Sequence, residues 1–202
     1  MSDHVDHDRL YRLAESQAGY FTSEQAQASG IQRSTLRHHA RPGGRYRRIQ
    51  RGLYRLRHFP SSPHEHVMAA WLPLAGTQAV VSHDTALELH GLSDVIPDAV
   101  HISVPRASRG RRPRTGVQFH TLSSPPDQEQ IRIMQGVPVT TPTRTIVDVL
   151  DAGTPLEQIE LAIHQALTRG LTTPRRLRHA ARTRSQRIQA IIDAALDDAP
   201  TQ

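Results

Sequence analysis

Between Glu24 and Glu65 this chain carries nine arginines and no acidic residue. Buried charge is costly unless it is paired. Such a stretch can therefore fold only as short elements that turn a narrow apolar stripe inward and their guanidiniums outward. The stripes are present. His7 to Ala18 sets Leu10, Leu13, Ala14 and Ala18 near one face of a helix that Gly19 ends. Thr22 followed by Gln25 is a capping box, with Phe21 as its hydrophobic staple, and starts a helix that runs to about Ser29 before Gly30 stops it. A third helix is expected over about Arg33–Ala40, with Ile31, Leu36 and Ala40 packed inward. Beyond Pro42-Gly43-Gly44, the stretch from Arg45 to Leu56 reads as two strands around an Arg51-Gly52 turn. Three helices followed by a basic hairpin predict a winged helix-turn-helix over residues 1–58, with residues 59–63 as a linker.

Charge is distributed accordingly. Residues 1–58 hold eleven arginines against five acids, whereas the rest of the chain holds fourteen of each, so the whole net charge of +6 belongs to the first quarter. A basic field this concentrated is the electrostatic footprint of a polyanion partner, with a merely solvated basic face as the competing reading. Arginine on a helix can bond guanine bidentately in the major groove, and arginines on a hairpin reach phosphates or the adjacent minor groove. The candidate DNA-contacting residues are Arg33, Ser34, Thr35, Arg37, His38 and Arg41 on the third helix, and Arg45, Arg47, Arg48 and Arg51 on the hairpin.

All 25 basic residues are arginine, and cysteine is absent. A phosphate-loop lysine, a Schiff-base lysine, a kinase-type lysine and a thiol nucleophile are excluded, because arginine does not give up its proton. Disulfides and cysteine-ligated metals are excluded too. The opening Met1-Ser2-Asp3-His4 lacks the basic start and apolar stretch of a signal peptide, and the longest nearly apolar run, Val67 to Gly76, is half the ~20 residues a span requires. These features predict a soluble, cytoplasmic protein without membrane contact, cofactor or metal.

The second part, residues 64–202, is expected to be a mixed α/β domain that is helical from about residue 142, which makes the whole chain α+β. Its predicted order is helices at about His64–Leu74 and Ser82–His90, strands at Ala99–Pro105 and Gly116–Leu122, a hairpin at Glu129–Thr140 around Gln135-Gly136, then four helices. Ser82 reads as the N-cap of its helix, with Asp84 in the favourable first turn. His83 and His90, two turns apart, are expected to be buried and hydrogen-bonded, packing this helix on the sheet, rather than to be ligands or bases. Thr141 before Pro142 is a predicted N-cap, Arg144 and Asp148 an i,i+4 ion pair, and Thr140 and Thr145 add hydroxyls to that cluster. A functional surface and a structural network are equally compatible with it. His64-Glu65-His66 suggests metal only superficially, since helical neighbours point apart. The five arginines from Arg106 to Arg114 suit DNA, an acidic protein surface or a solvated loop, and for the arginines between Arg175 and Arg187 a solvated helix face is favoured.

Three phrases carry a resemblance. Gly30-Ile31-Gln32-Arg33-Ser34-Thr35-Leu36-Arg37 with Arg47-Arg48-Ile49-Gln50-Arg51-Gly52-Leu53-Tyr54-Arg55-Leu56, then Ser82-His83-Asp84-Thr85-Ala86-Leu87-Glu88-Leu89-His90-Gly91-Leu92, then Val137-Pro138-Val139-Thr140-Thr141-Pro142-Thr143-Arg144-Thr145-Ile146-Val147-Asp148 resemble AbiEi-type antitoxins of type IV toxin–antitoxin systems over about residues 8–150. The resemblance implies a winged helix that binds inverted repeats in the operon's own promoter, as a dimer or as two cooperating monomers. It also implies an antitoxin domain, with Ser82, His83, His90, Thr140, Thr141, Arg144, Thr145 and Asp148 as its motif, that neutralises a cognate nucleotidyltransferase toxin. The alternatives are a winged-helix transcription regulator whose second domain dimerises or senses a ligand, and, less favoured, a DNA-targeted nuclease. An enzyme is not expected.

Overall fold

The computed structural model describes residues 6–108, 114–122 and 125–197. Of the arginine-rich loop, Arg109, Arg111 and Arg112 lie outside the described residues, as does the tail from Asp198 on. The chain is α+β and divides into two compact units. One runs through Thr77 and includes Gln135–Val137, and the other comprises Gln78–Met134 and the chain from Pro138 on.

The first unit opens with α1 (His7–Glu15), capped by Asp6, whose carboxylate accepts from the Arg9 backbone N–H at 2.7 Å. The helix stops three residues earlier than its apolar pattern predicts, because Ala18 and Gly19 both take positive φ, 53° and 83°, and turn the chain into β1 (Tyr20–Thr22). Thr22 and Gln25 form the predicted capping box of α2 (Ser23–Ala28), and α3 (Arg33–His39) follows after Gly30. The hairpin is β2 (Tyr46–Gln50) and β3 (Leu53–Leu56), with Gly52 at φ 78° in its turn. Tyr20–Thr22 does more than staple α2. It pairs antiparallel with β3, so the wing is a three-stranded sheet in the order β1-β3-β2. Phe21, fully buried, holds helices to sheet, with its ring edge-on to Tyr46 at 5.0 Å and stacked on Tyr54 at 5.8 Å, alongside Leu10, Ile31 and Leu36.

The compact unit continues past the hairpin through Thr77. Arg55 is 5% exposed and donates through Nε to the Ala18 carbonyl and through Nη2 to the Pro60 carbonyl at 2.9 Å and to Glu65 at 2.6 Å. It thereby ties residues 59–65 and the start of α4 (Glu65–Trp71) to β3.

The second unit holds a five-stranded mixed sheet in the order β6-β5-β4-β8-β7, formed by β4 (Val80–Val81), β5 (Val100–Pro105), β6 (Val117–Leu122), β7 (Ile131–Met134) and β8 (Val137–Thr140). β4 pairs antiparallel with β5 and parallel with β8, and β5 pairs parallel with β6. The β7–β8 turn is Gln135-Gly136, both at positive φ, as a two-residue hairpin loop requires. Helix α5 (His83–His90) connects β4 to the loop before β5, and α6 (Pro142–Ala152), α7 (Leu156–Thr168), α8 (Pro174–Ala181) and α9 (Gln186–Asp197) follow the sheet. Leu87, Leu92, Ile146, Val149, Ile159, Ile163, Leu177 and Ile192 form one apolar core under them. Among the described residues no helix is long and apolar enough to cross a membrane.

Candidate functional site

In the first unit, Ile31 and Leu36 are buried and Ala40 half-buried, which fixes the rotation of α3. Arg33, Ser34, Arg37, His38 and Arg41 are consequently exposed, and Thr35 is half-buried. On the hairpin Arg45, Arg47, Arg48 and Arg51 are exposed. Of the arginines between Glu24 and Glu65, the two omitted from the DNA-contacting set are the ones the fold uses internally. Arg55 is buried as described, and Arg57 is half-buried, donating to the carbonyls of Gly44, Arg41 and Tyr46 and so holding the turn between α3 and β2. The result is a helix and a wing whose exposed guanidiniums all belong to predicted contact positions, with Arg37 and His38 also favouring the C-terminal end of the α3 dipole.

In the second unit the predicted motif residues fall into two linked groups. Thr140 and Thr145 share a hydroxyl–hydroxyl hydrogen bond of 2.7 Å, and His90 Nε2 lies 2.8 Å from the Thr140 carbonyl, donating in that tautomer, so α5, β8 and the start of α6 are joined there. Arg144 Nε reaches both oxygens of Asp148 at 2.9 and 2.8 Å, and its Nη1 donates to Gln130. The pair is not merely local. Arg184, which was placed with a solvated helix face, is instead partly buried, donating to Asp148 at 2.7 Å and also to Asp151. Burial raises the Asp148 carboxyl above its ordinary range, against the pull of both guanidiniums.

Both predicted N-caps stand at their positions without the capping bond. Ser82 and Thr141 occupy the N-cap positions of α5 and α6, yet neither side chain caps. Ser82 is fully buried, and its hydroxyl is shared between Ser103 Oγ at 2.7 Å and His83 Nδ1 at 2.8 Å, so it ties the strand–helix junction to β5 instead. His83 itself sits at φ 52°, the left-handed region that a residue with a Cβ enters only under strain, which surrounding contacts must maintain. Those contacts come from residues that sequence reasoning missed. His120 of β6 stacks on the His83 ring at 3.5 Å, and His101 of β5 lies 3.3 Å from His120, nitrogen to nitrogen. Parallel pairing of β5 with β6 puts Ser103 beside His120, and a period-two pattern with His101 and Ser103 on one face was the available signal. Burial, then the neighbouring rings and Arg144 and Arg184, push His83 down to about 3. His120 is pushed down to about 4 by burial and by His101, and burial lowers His101 and His90 as well. The cluster is therefore neutral at physiological pH. Among the described residues no three histidine or acidic side chains converge as a metal site, and His64 and His66 keep their rings 6.4 Å apart.

A winged helix-turn-helix with an outward arginine face, joined to a second unit with its own sheet and core, is the build of a DNA-binding regulatory protein with a separate effector domain. The comparisons with known proteins agree. Residues 8–57 match the family described as transcriptional regulator, AbiEi antitoxin, and residues 78–197 match the AbiEi antitoxin C-terminal domain. The chain belongs to the AbiEi antitoxin family. Its fold is similar to that of the RV2827C protein from Mycobacterium tuberculosis, with a TM-score of 0.59 at 15% identity over 96% of this chain and 82% of that one. No curated protein matches it in sequence.

Proposed function

We propose that this chain is the antitoxin of a type IV toxin–antitoxin pair, acting in the cytoplasm as a repressor of its own operon and as the antagonist of a cognate nucleotidyltransferase toxin. It acts by binding, not by catalysis. The observation that carries the reading is the coincidence, in one chain, of the two AbiEi segments with an α3 and its flanks in which buried Ile31 and Leu36 leave Arg33, Arg37 and Arg41 exposed. α3 lies in the major groove of the operator with Arg33 and Arg37 at base edges, and Arg47, Arg48 and Arg51 hold the backbone. Inverted half-sites would be filled by two copies. Neutralisation belongs to the second unit, where the Thr140–Thr145 and Arg144–Asp148–Arg184 network supports the reading by locking α5, β8, α6 and residues around Arg184 into one rigid body. The test is twofold: a mobility shift on the DNA preceding the chain's own gene, and co-expression with the product of the adjacent gene. A specific shift together with restored growth is expected. A specific shift without any growth defect from the neighbour would favour a plain regulator.

A further inference from the structure

We propose that the cavity between α1 and the chain leaving β3 is a binding site for a small, flat aromatic carboxylate, an effector that weakens operator binding. The site stands on its own geometry, and its effect rests on the DNA-binding reading above. The cavity encloses about 440 Å³, a size suited to a small ligand. Leu10, Tyr11, Tyr46, Leu56, Phe59 and Pro60 give it an apolar lining, half of it aromatic. These walls are set before any ligand arrives. Tyr46 is buried, with its ring edge-on to Phe21 at 5.0 Å and to His39 at 5.7 Å. Phe59 is seated over Gly19, where a Cβ would stand 2.6 Å from its ring, so only glycine leaves room for it. Its backbone N–H donates to the Leu56 carbonyl at 3.3 Å, and Arg55 holds the Pro60 carbonyl at 2.9 Å. An aromatic ligand therefore gains apolar burial there with little reorganisation of the protein.

Charge selects the rest of the ligand. Two guanidiniums, Arg45 and Arg57, also line the cavity against a single carboxylate, Asp8. Among the described residues neither arginine enters an ion pair. Arg57 is half-buried and donates to neutral carbonyls, that of Gly44 at 2.5 Å and those of Arg41 and Tyr46 at 3.2 Å. Its donors are used while its charge is not balanced, and a carboxylate beside Arg45 and Arg57 supplies the balance. A bare phosphate brings the charge but has no apolar surface to place on the lining. Arg57 also fixes the turn that carries Arg41 and Arg45, both exposed and both candidate DNA contacts. A bound carboxylate takes Arg45 from the DNA backbone and sets a negative charge beside it. Ligand and operator then compete through one charged group, and each weakens the other by the same factor.

The experiment uses the full-length chain. Naphthoate, naphthalenemethanol as its uncharged counterpart and inorganic phosphate are titrated by calorimetry without DNA. Naphthoate is then added to a mobility shift on the DNA preceding the chain's own gene. Naphthoate is expected to bind saturably and roughly tenfold or more tighter than the alcohol, with no saturable heat from phosphate. Tyr11→Glu, which adds a second carboxylate to the lining, and Arg45→Gln should each lose roughly tenfold or more in naphthoate affinity at an unchanged unfolding temperature. Saturating naphthoate should lower operator affinity about tenfold. No saturable naphthoate binding, or wild-type affinity in both variants, overturns the site. Equal binding of naphthoate and the alcohol overturns the carboxylate. Operator affinity that naphthoate leaves unchanged overturns the effector role. Naphthoate binding by a chain that does not shift the DNA preceding its own gene would overturn the DNA-binding reading and leave the site standing.

Discussion

At the scale of single residues, the second unit is built on histidines kept neutral. His83 titrates near 3 and His120 near 4 in the folded chain, against about 6.5 when unfolded. Below pH 6.5 the unfolded chain therefore binds protons that the folded chain refuses, so stability is complete above that pH and falls as the solution is acidified toward 4. Each such group contributes about 1.4 kcal/mol of loss per pH unit in that window. Unfolding followed at pH 7 and pH 5 should show a clearly smaller acid loss in His120→Gln than in wild type; equal losses would remove the stacked pair from the account. Arg55 is the corresponding residue of the first unit. Because it is nearly fully buried and makes contacts to Ala18, Pro60 and Glu65, Arg55→Ala should destabilise this unit by about 3 kcal/mol, leaving Glu65 without its cation. A variant melting like wild type would refute that role. Sequence reasoning placed His83 and His90 as buried, bonded side chains but could not find their partners. His101 and His120 come from strands whose parallel pairing has no local signature, and Arg184 reaches Asp148 across 36 positions of chain.

At the scale of elements, legibility followed how local the determining interactions are. The capping box at Thr22 and Gln25, the Gly52 turn and the Gln135-Gly136 turn act within a few residues, and all three stand where the sequence puts them. Strand β1 was missed because three residues carry no periodicity; only its register with Leu53–Arg55 makes it a strand. The Ser82 hydroxyl sits at a cap position and serves Ser103 and His83 instead, since a buried hydroxyl takes the bond that tertiary packing offers. The division between α3 and the hairpin yields a quantitative expectation. Arg37 on α3 should read a base, so Arg37→Ala should lose about 1–3 kcal/mol on operator DNA and much less on scrambled duplex. Arg48, exposed on β2, should meet a phosphate, so Arg48→Ala should weaken both duplexes alike and lower the salt slope by roughly one. A salt titration of both variants on both duplexes decides, and equal losses for Arg37→Ala on the two would show that α3 does not read sequence.

For the whole molecule, the uneven charge and the two separate cores predict that the two proposed functions, operator binding and toxin neutralisation, can be removed one at a time. The entire net charge of +6 lies in residues 1–58, while the second unit encloses its own core around Leu87, Ile146 and Ile163. Neither core borrows from the candidate contact residues of α3 or the hairpin, all but one of which are exposed, so stripping those arginines costs little folding energy. A full-length chain carrying Arg33→Ala, Arg37→Ala, Arg47→Ala and Arg48→Ala should therefore unfold within about 1 kcal/mol of wild type, since surface changes of this kind are individually small. It should lose operator binding by at least two orders of magnitude at moderate salt, because four phosphate or base contacts vanish together. Growth rescue from the toxin should persist at matched protein level. The measurement is a paired one, promoter repression by a reporter and growth on toxin induction, in the same strain. Loss of both functions in a chain that still folds would mean that neutralisation needs the basic face, and that the two units act as a single device.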